Sequence, residues 1–395
     1  MKYFFTVIIA CLTNAPSIAQ SNTLPFLLVN EQQLSSYKQQ YLNKDKSIII
    51  EIDSIIADAD KALKAGPYSV TLQKTKLPPS GDMHDYVSQA PYWWPDTSKP
   101  DGKPYIIKDG RINPERNTSK DYGQMGRMCN DVKILALAYY FTGEESYSKK
   151  ATELLKAWFI DTATRMNPHL NYGQFIPGKT EGRGVGIIET VALSNIPDAM
   201  AMMQGSNQMN NEFITGIKGW FASYTDWLLN SKNGKEEKAA GNNHGTYYDM
   251  QLIDFALFTG KRSIAEQELK EQTISRIEQQ FTIDGAQPQE LARTKSWNYS
   301  TMNLTGWCKL AILADHVNID LWHKTTIDGK GIHKVFEWFV PYVTKEKQWN
   351  YEQIEPISYN NIMRLYQLAA AEYPGDPFQK LFETSTVQKL QRPWW

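Results

Sequence analysis

Two short stretches of the chain gather side chains suited to moving a proton beside an anion. Asn242-Asn243-His244 follows the polar run Lys235-Glu236-Glu237-Lys238 and precedes a helix expected from about Thr246. At such a loop-to-helix junction side chains can point into a cleft, and Gly241 and Gly245 permit a backbone to approach a ligand closely. The imidazole of His244 can give or take a proton near neutral pH. The second stretch, Gln287-Pro288-Gln289-Glu290-Leu291-Ala292-Arg293-Thr294-Lys295-Ser296-Trp297-Asn298-Tyr299, also lies between helices. It sets a permanent cation, whose fork matches a carboxylate, six residues before a phenol. Each stretch has a plainer explanation too. The first can be an asparagine cap followed by a surface histidine, the second a capped loop with a surface Arg293–Glu290 pair.

The elements that must hold these residues are helices. Ile48, Ile52, Ile55, Ile56 and Ala59 recur at three- and four-residue spacing, as do Val132, Leu135, Ala136, Tyr139 and Tyr140, then Ala151, Leu154, Leu155 and Trp158. Phe213, Ile217, Trp220, Phe221, Tyr224 and Leu228 form another stripe, and further helices are expected near 246–258, 262–280, 300–317, 331–343 and 359–372. Strand-like alternation is scarce, so the fold class is all-α. Phe141-Thr142-Gly143 and Phe258-Thr259-Gly260 each close one helix just before another begins. Glycine past a helix end takes the left-handed conformation that terminates it, and so short a gap forces an antiparallel hairpin. About six to seven such hairpins, stacked side by side, curve into an (α/α) toroid or incomplete barrel with long loops over its cleft. The stretch 66–120, rich in proline but also in aromatics (Tyr86, Tyr92, Trp93, Trp94, Tyr105), is expected to be an ordered loop over one mouth. The segments 166–184 and 231–244 are expected to be loops as well. No interdomain linker is evident. Residues 1–19 are expected to form a signal peptide, 20–45 an extension, and 46–395 a single domain.

Composition excludes some functions. With 42 Lys+Arg against 43 Asp+Glu, the basic excess usual for a nucleic-acid partner is missing, although a local cationic cleft for a polyanionic sugar remains compatible. Aromatic residues make up 12% of the chain, with 12 Trp and 21 Tyr, a surplus that suits a cleft where rings stack on sugars. Lys2, the apolar run Phe4 to Leu12 and the small residues at Ser17-Ile18-Ala19 read as an export signal, so secretion to the periplasm of a Gram-negative cell is expected, with lipidation at Cys11 an open alternative. No membrane span is expected. Cys129 and Cys308 lie in apolar helical contexts and are expected to be buried free thiols. His84, His169, His244, His316, His323 and His333 are scattered, with no metal-ligand spacing, so no metal and no cofactor is expected. Gly182-x-Gly184 and Gly186 follow no visible strand, which argues against a nucleotide loop.

Longer motifs then point to a family. Trp93-Trp94-Pro95, Pro104-Tyr105 and Asp109-Gly110 resemble the opening of the alginate lyase family with an α/α toroid fold. Ala157-Trp158-Phe159-Ile160-Asp161, Thr164-Arg165-Met166-Asn167-Pro168, Asn171-Tyr172-Gly173-Gln174, Ile176-Pro177-Gly178 and Gly182-Arg183-Gly184-Val185-Gly186-Ile187-Ile188 are similar to its central signature. The resemblance runs collinearly from about residue 85 to 345. It implies that Asn243, His244, Arg293 and Tyr299 are the catalytic set, and that an anionic polysaccharide is the partner.

The reaction so implied is β-elimination on 1,4-linked uronates. A base removes the proton at C5 while the oxygen at C4 leaves, and the neighbouring carboxylate must be neutralised because abstraction adds negative charge to it. Asn243 and Arg293 suit that neutralisation. Tyr299 can take the C5 proton and return it to the C4 oxygen, a syn elimination that matches mannuronate; a nearby Arg293 is expected to lower its pKa. For guluronate, His244 as base and Tyr299 as acid supply the anti geometry. Substrate contacts are expected from Asn242, Trp93, Trp94, Gln124, Arg127, Tyr172, Lys179 and Arg183. Two other readings stand beside this one: an α/α-toroid hydrolase using two acids among Asp284, Glu290 and Glu181, and a non-catalytic glycan-binding protein of an uptake system.

Overall fold

The computed structural model describes residues 23–384. The signal expected over residues 1–19, with Cys11, lies outside them. An extended stretch leads into α1 (Glu31–Leu42) and α2 (Lys46–Ala62). The helix-poor segment follows, carrying the short strands β1 (Val87–Gln89), β2 (Trp93–Trp94) and β3 (Ile106–Ile107) and a 3-10 turn at Pro114–Thr118. Then come α3 (Asp121–Thr142), α4 (Glu145–Phe159) and β4 (Tyr172–Phe175), the last paired in parallel with β1, while β2 and β3 are antiparallel. A 3-10 stretch, Gly184–Ser194, runs into α5 (Asn195–Met202), followed by α6 (Asn211–Asn230), α7 (Lys232–Lys238) and α8 (Asn243–Phe258). The helix expected over 262–280 is α9 (Arg262–Glu268) and α10 (Ile274–Gln280), joined by a π-helical turn at Leu269–Thr273. The single turn α11 (Pro288–Leu291) precedes α12 (Ser296–Asp315), α13 (Ile332–Val343), α14 (Asn360–Glu372) and α15 (Phe378–Thr384).

The protein is an all-α toroid, and burial sorts its helices into two layers. In α8 every residue except His244 and Leu257 is buried. α12 is likewise buried over most of its circumference, down to Trp297, Trp307, Cys308 and Leu310. Helices apolar on all sides belong inside. By contrast α2, α4 and α6 present one apolar stripe each, such as Phe213, Ile217, Trp220, Phe221, Tyr224 and Leu228, to the inner layer. The hairpins read from the sequence are present. Gly143 ends α3 at φ 74° with its N–H on the Tyr139 carbonyl, and Gly260 takes φ 77° between α8 and α9. Cys129 and Cys308 are free and buried. Among the described residues no helix is long and apolar enough to cross a membrane.

Two segments differ from the sequence reading. The stretch 231–244 contains the helix α7, its first turn capped by the Ser231 hydroxyl accepting from Gly234 N. Residues 24–29, expected to belong to an extension, are part of the core. Leu24, Phe26, Leu27, Leu28 and Val29 are all buried. The reason is a buried carboxylate on α5: Asp198 Oδ1 accepts the Leu27 N–H at 2.6 Å, and Oδ2 accepts those of Leu28 and Val29 at 3.0 and 3.1 Å. His316, just past α12, meets the Leu27 carbonyl at 2.9 Å. The segment is therefore a strap across the ends of α5 and α12.

Removing the carboxylate leaves three buried N–H groups without an acceptor. Asp198→Ala is expected to lower unfolding free energy by about 2–4 kcal/mol, measured by denaturant titration, with new protease cleavage near residues 24–30. A midpoint equal to the parent's would refute the strap's role.

Candidate active site

The first turns of α3, α8 and α12 open onto the same cleft, of about 920 Å³. α3 brings Tyr122 and Arg127, α8 brings Asn243 and His244, and α12 brings Tyr299 and Met302; the 3-10 stretch adds Ile188 and Glu189, and the helix-poor segment adds Tyr92, Trp93, Ile107, Asp109 and Arg116. Each helix start carries a partial positive charge. Three of them, together with Arg116, Arg127, Arg183 and Arg293, make the cleft a place for anions.

Asn242 caps α8, its side chain accepting from His244 N at 3.2 Å. Beneath it the chain is braced by Arg276 of α10, a buried guanidinium paired with the buried Asp249 through Nε and Nη2 at 2.8 and 2.9 Å. The same guanidinium donates to the carbonyls of Ala240 and Lys238, both at 2.6 Å. Gly245 is required here for that brace rather than for a ligand. A methyl group on it would stand 2.1 Å from the Ala240 carbonyl and 2.2 Å from Arg276 Nη1. Gln280 adds a second tie, donating to the Asn242 carbonyl at 3.1 Å while accepting from Thr246, Asn303 and Trp307.

Each of the four candidate catalytic side chains is held by a partner. Glu290, fully buried, accepts from Asn243 twice, from the backbone N and from Nδ2, both at 2.7 Å. A carboxylate only accepts, so the contact decides which end of the Asn243 amide is nitrogen and leaves a second N–H and the amide oxygen for the cleft. Burial pushes the Glu290 carboxyl up, against the lowering effect of those two bonds. It is not the surface partner of Arg293. His244 Nδ1 meets the buried Glu237 at 2.6 Å, so a neutral ring keeps its proton on Nδ1 and presents Nε2 as a base. Arg293 binds Asp109 through Nε and Nη2, the closest contact being 2.6 Å, which leaves Nη1 outside that pair. Thr294 adds two more bonds to Asp109. Burial alone would raise the Asp109 carboxyl, but Arg293 and Thr294 outweigh it and bring it down to about 2.

Tyr299 lies with its hydroxyl 2.7 Å from that of Tyr92, and the Arg293 guanidinium stands 3.8 Å from its ring centre. Arg293 does lower the Tyr299 pKa, as expected, but the net shift is the opposite of the expected one. Burial and the Tyr92 hydroxyl raise it above the ordinary range by more than Arg293 lowers it. Tyr92 was legible in the sequence as a loop aromatic, but nothing in its spacing tied it to Tyr299, 207 residues away. Nothing in the spacing tied Asp109, Arg116, Glu189 or Glu237 to their partners either, and Glu290, read from the sequence as a pair for Arg293 or an acid, holds Asn243 instead.

Of the expected substrate contacts, Asn242, Trp93, Arg127 and Arg183 line the cleft. Arg183 is held by Gln174 at 2.7 Å. Gln124 is buried inside α3, away from the lining. Tyr172 is used in the β1–β4 pair, and Trp94 donates from its indole to the Arg111 carbonyl with Lys108 over its ring, so neither lines the cleft. Lys179 stands at the rim, 4.4 Å from the centre of the Trp93 ring, which it covers on one face.

The arrangement sets a phenol and an imidazole beside several guanidinium groups at one mouth of an α/α toroid. Comparison with known proteins agrees. The alginate lyase family model matches residues 69–349, and the chain belongs to that family. It is similar to the crystal structure of an alginate lyase from Bacteroides ovatus at 37% identity and a TM-score of 0.87, over 92% of this chain and 95% of that one. Alginate lyase A1-III from Sphingomonas species A1 shares the fold at 14% identity and a TM-score of 0.51, over 86% and 89% of the two chains. A search among curated proteins finds no match.

The Glu290–Asn243 contact yields a test. In Glu290→Gln the new amide nitrogen faces the Asn243 donor, forcing one of the two amides to turn over. We expect kcat to fall about 10²-fold, as for loss of one positioned donor, with a nearly unchanged melting temperature. Unchanged kcat on alginate would refute the positioning role.

Proposed function

We propose that the chain cleaves alginate by β-elimination, acting on mannuronate and also on guluronate, with Tyr299, His244, Asn243 and Arg293 in distinct roles. The observation that carries this reading is the pairing of a phenol, Tyr299, with an imidazole whose Nε2 is the free end, both facing a cleft rich in cations. Asn243 and Arg293 Nη1 neutralise the substrate carboxylate. At mannuronate Tyr299 takes the C5 proton and passes it to the departing C4 oxygen. At guluronate His244 Nε2 is the base on the opposite face and Tyr299 the acid. Tyr92, through its 2.7 Å contact, orients the Tyr299 hydroxyl. Asn242 holds the start of α8, while Trp93, Arg127 and Arg183 meet neighbouring sugars.

The hydrolase alternative loses support on its acids. Asp284 lines a separate depression with Lys334 and Trp338, Glu181 is exposed, and Glu290 is committed to Asn243. The carboxylates that do line the cleft, Asp109 and Glu189, are held respectively by Arg293 and by Tyr86 and Ser88. A hydrolase needs one acid free to protonate the leaving oxygen and a second carboxylate free to act as base or nucleophile, and both of these are taken up by their own hydrogen-bond partners. The family relationship and the export signal expected in the sequence support action outside the cytoplasm, for which we propose the periplasm of a Gram-negative bacterium.

Two experiments test the reading. Tyr299→Phe is expected to lose at least about 10³-fold in turnover while still binding alginate oligomers by calorimetry. Ultraviolet absorbance reads the new C4–C5 double bond; wild-type protein that shortens chains without it would favour hydrolysis. The second uses pH. Because burial raises the Tyr299 phenol, the mannuronate route, which needs the phenolate, gains rate throughout the range of about pH 6 to 10. The guluronate route uses Tyr299 in its protonated form, so it gains nothing from loss of the phenol proton. The ratio of kcat/KM on mannuronan to that on guluronan should therefore rise with pH, and His244→Gln should cut guluronan cleavage more deeply. Parallel pH profiles would refute separate bases.

A further inference from the structure

Beyond the cleft the rim carries lysines that the chemistry above does not use. Gln174 lines the cleft, and the chain then turns through 176–180, closed by the Ile176–Thr180 bridge. Three ammonium-bearing residues from three different segments gather on this turn. Lys179 belongs to it and lies over Trp93, itself a lining residue. Lys103 is packed against it, its Cβ 3.0 Å from where a Cβ on Gly178 would stand. Lys76 reaches over from the segment before β1, its Nζ 3.3 Å from the centre of the Phe175 ring. All three residues are exposed. Among the described residues none of them forms an ion pair with a carboxylate; the nearby Asp101 side chain accepts from Lys103 through the backbone N–H.

Like charges crowded together without counter-ions cost free energy. Burial and the neighbouring Lys103 both push the Lys76 ammonium down. Some lysines elsewhere are paired, as Lys74 is with Asp121 and Lys238 with Glu268. An unpaired group of three at the exit of an anion-binding cleft is therefore matched to an anion that arrives from outside.

We propose that Lys76, Lys103 and Lys179 form an outer subsite for the carboxylates of uronate units beyond those held in the cleft. The identity of the ligand rests on the alginate reading above. A chain too short to reach from the cleft to the 176–180 turn gains nothing from this subsite, and a longer one gains affinity that salt weakens.

The test uses the full chain carrying Tyr299→Phe, so that oligomers survive, and titrates mannuronate trimer and octamer by calorimetry at low and high salt. The parent is expected to bind octamer more tightly than trimer, with the difference shrinking in high salt. Adding Lys76→Gln, Lys103→Gln and Lys179→Gln should reduce the octamer-to-trimer affinity ratio about tenfold, the size expected of three solvent-exposed charge contacts. Lys103→Glu alone, at an exposed position, should reduce the same ratio and decides the matter if the triple variant folds poorly. The proposal is overturned if the parent shows no length dependence, if the variants keep the parental ratio, or if trimer and octamer weaken equally. Failure of the alginate reading looks different: wild-type protein would then yield no unsaturated product, and neither oligomer would bind.

Discussion

The site depends on one buried cation. Arg276 comes from an outer helix, reaches beneath the first turn of α8, and is fixed there by Asp249 within that same helix. Its remaining hydrogens hold the carbonyls of Lys238 and Ala240. A buried ion pair of this kind adds little net stability compared with apolar packing, but losing one member leaves a stranded charge. Its effect is geometric. It sets where α8 begins, and hence the direction in which Asn243 and His244 leave the backbone. Gln280 extends the same control to α12 through Thr246, Asn303 and Trp307, so the helix bearing Tyr299 is registered against the helix bearing His244.

From this brace the electrostatics follow. With α8 and α12 registered, three helix starts share a cleft, and the carboxylates there are placed to hold cations and donors rather than to cancel the field. Glu237 steadies an imidazole, Glu290 an amide and Asp109 a guanidinium. Each acid sits one step behind a residue that lines the cleft. The cost of burying these acids is visible in Glu290, whose carboxyl is pushed up despite two good hydrogen bonds.

The sequence disclosed the parts of this design that are periodic or local. Helix stripes, the left-handed glycines and the two reactive stretches were legible because each is a pattern within a dozen or so residues. The partners were not, because they depend on contacts between distant segments. Tyr92 meets Tyr299 across 207 residues and Arg293 meets Asp109 across 184, and no spacing rule connects such pairs. The strap at 24–29 was visible as the apolar run Leu24-Pro25-Phe26-Leu27-Leu28-Val29, yet its docking needed Asp198, far along the chain. The signature Arg165-Met166-Asn167-Pro168 also has a structural role: Asn167 bonds Asp82 and Asp85 at 3.0 and 2.7 Å and pins the helix-poor segment.

That segment has a consequence for how such a protein can change over generations. His244 and Tyr299 stand on helices buried over most of their circumference, where substitutions disturb packing. Tyr92, Trp93 and Asp109 instead arrive on a stretch of turns and two-residue strands, anchored at its end by Lys74 on Asp121. Loops of this kind accept insertions and deletions more readily than the elements they join. Descendants can thus exchange the cover over the cleft while inheriting the helices beneath it intact.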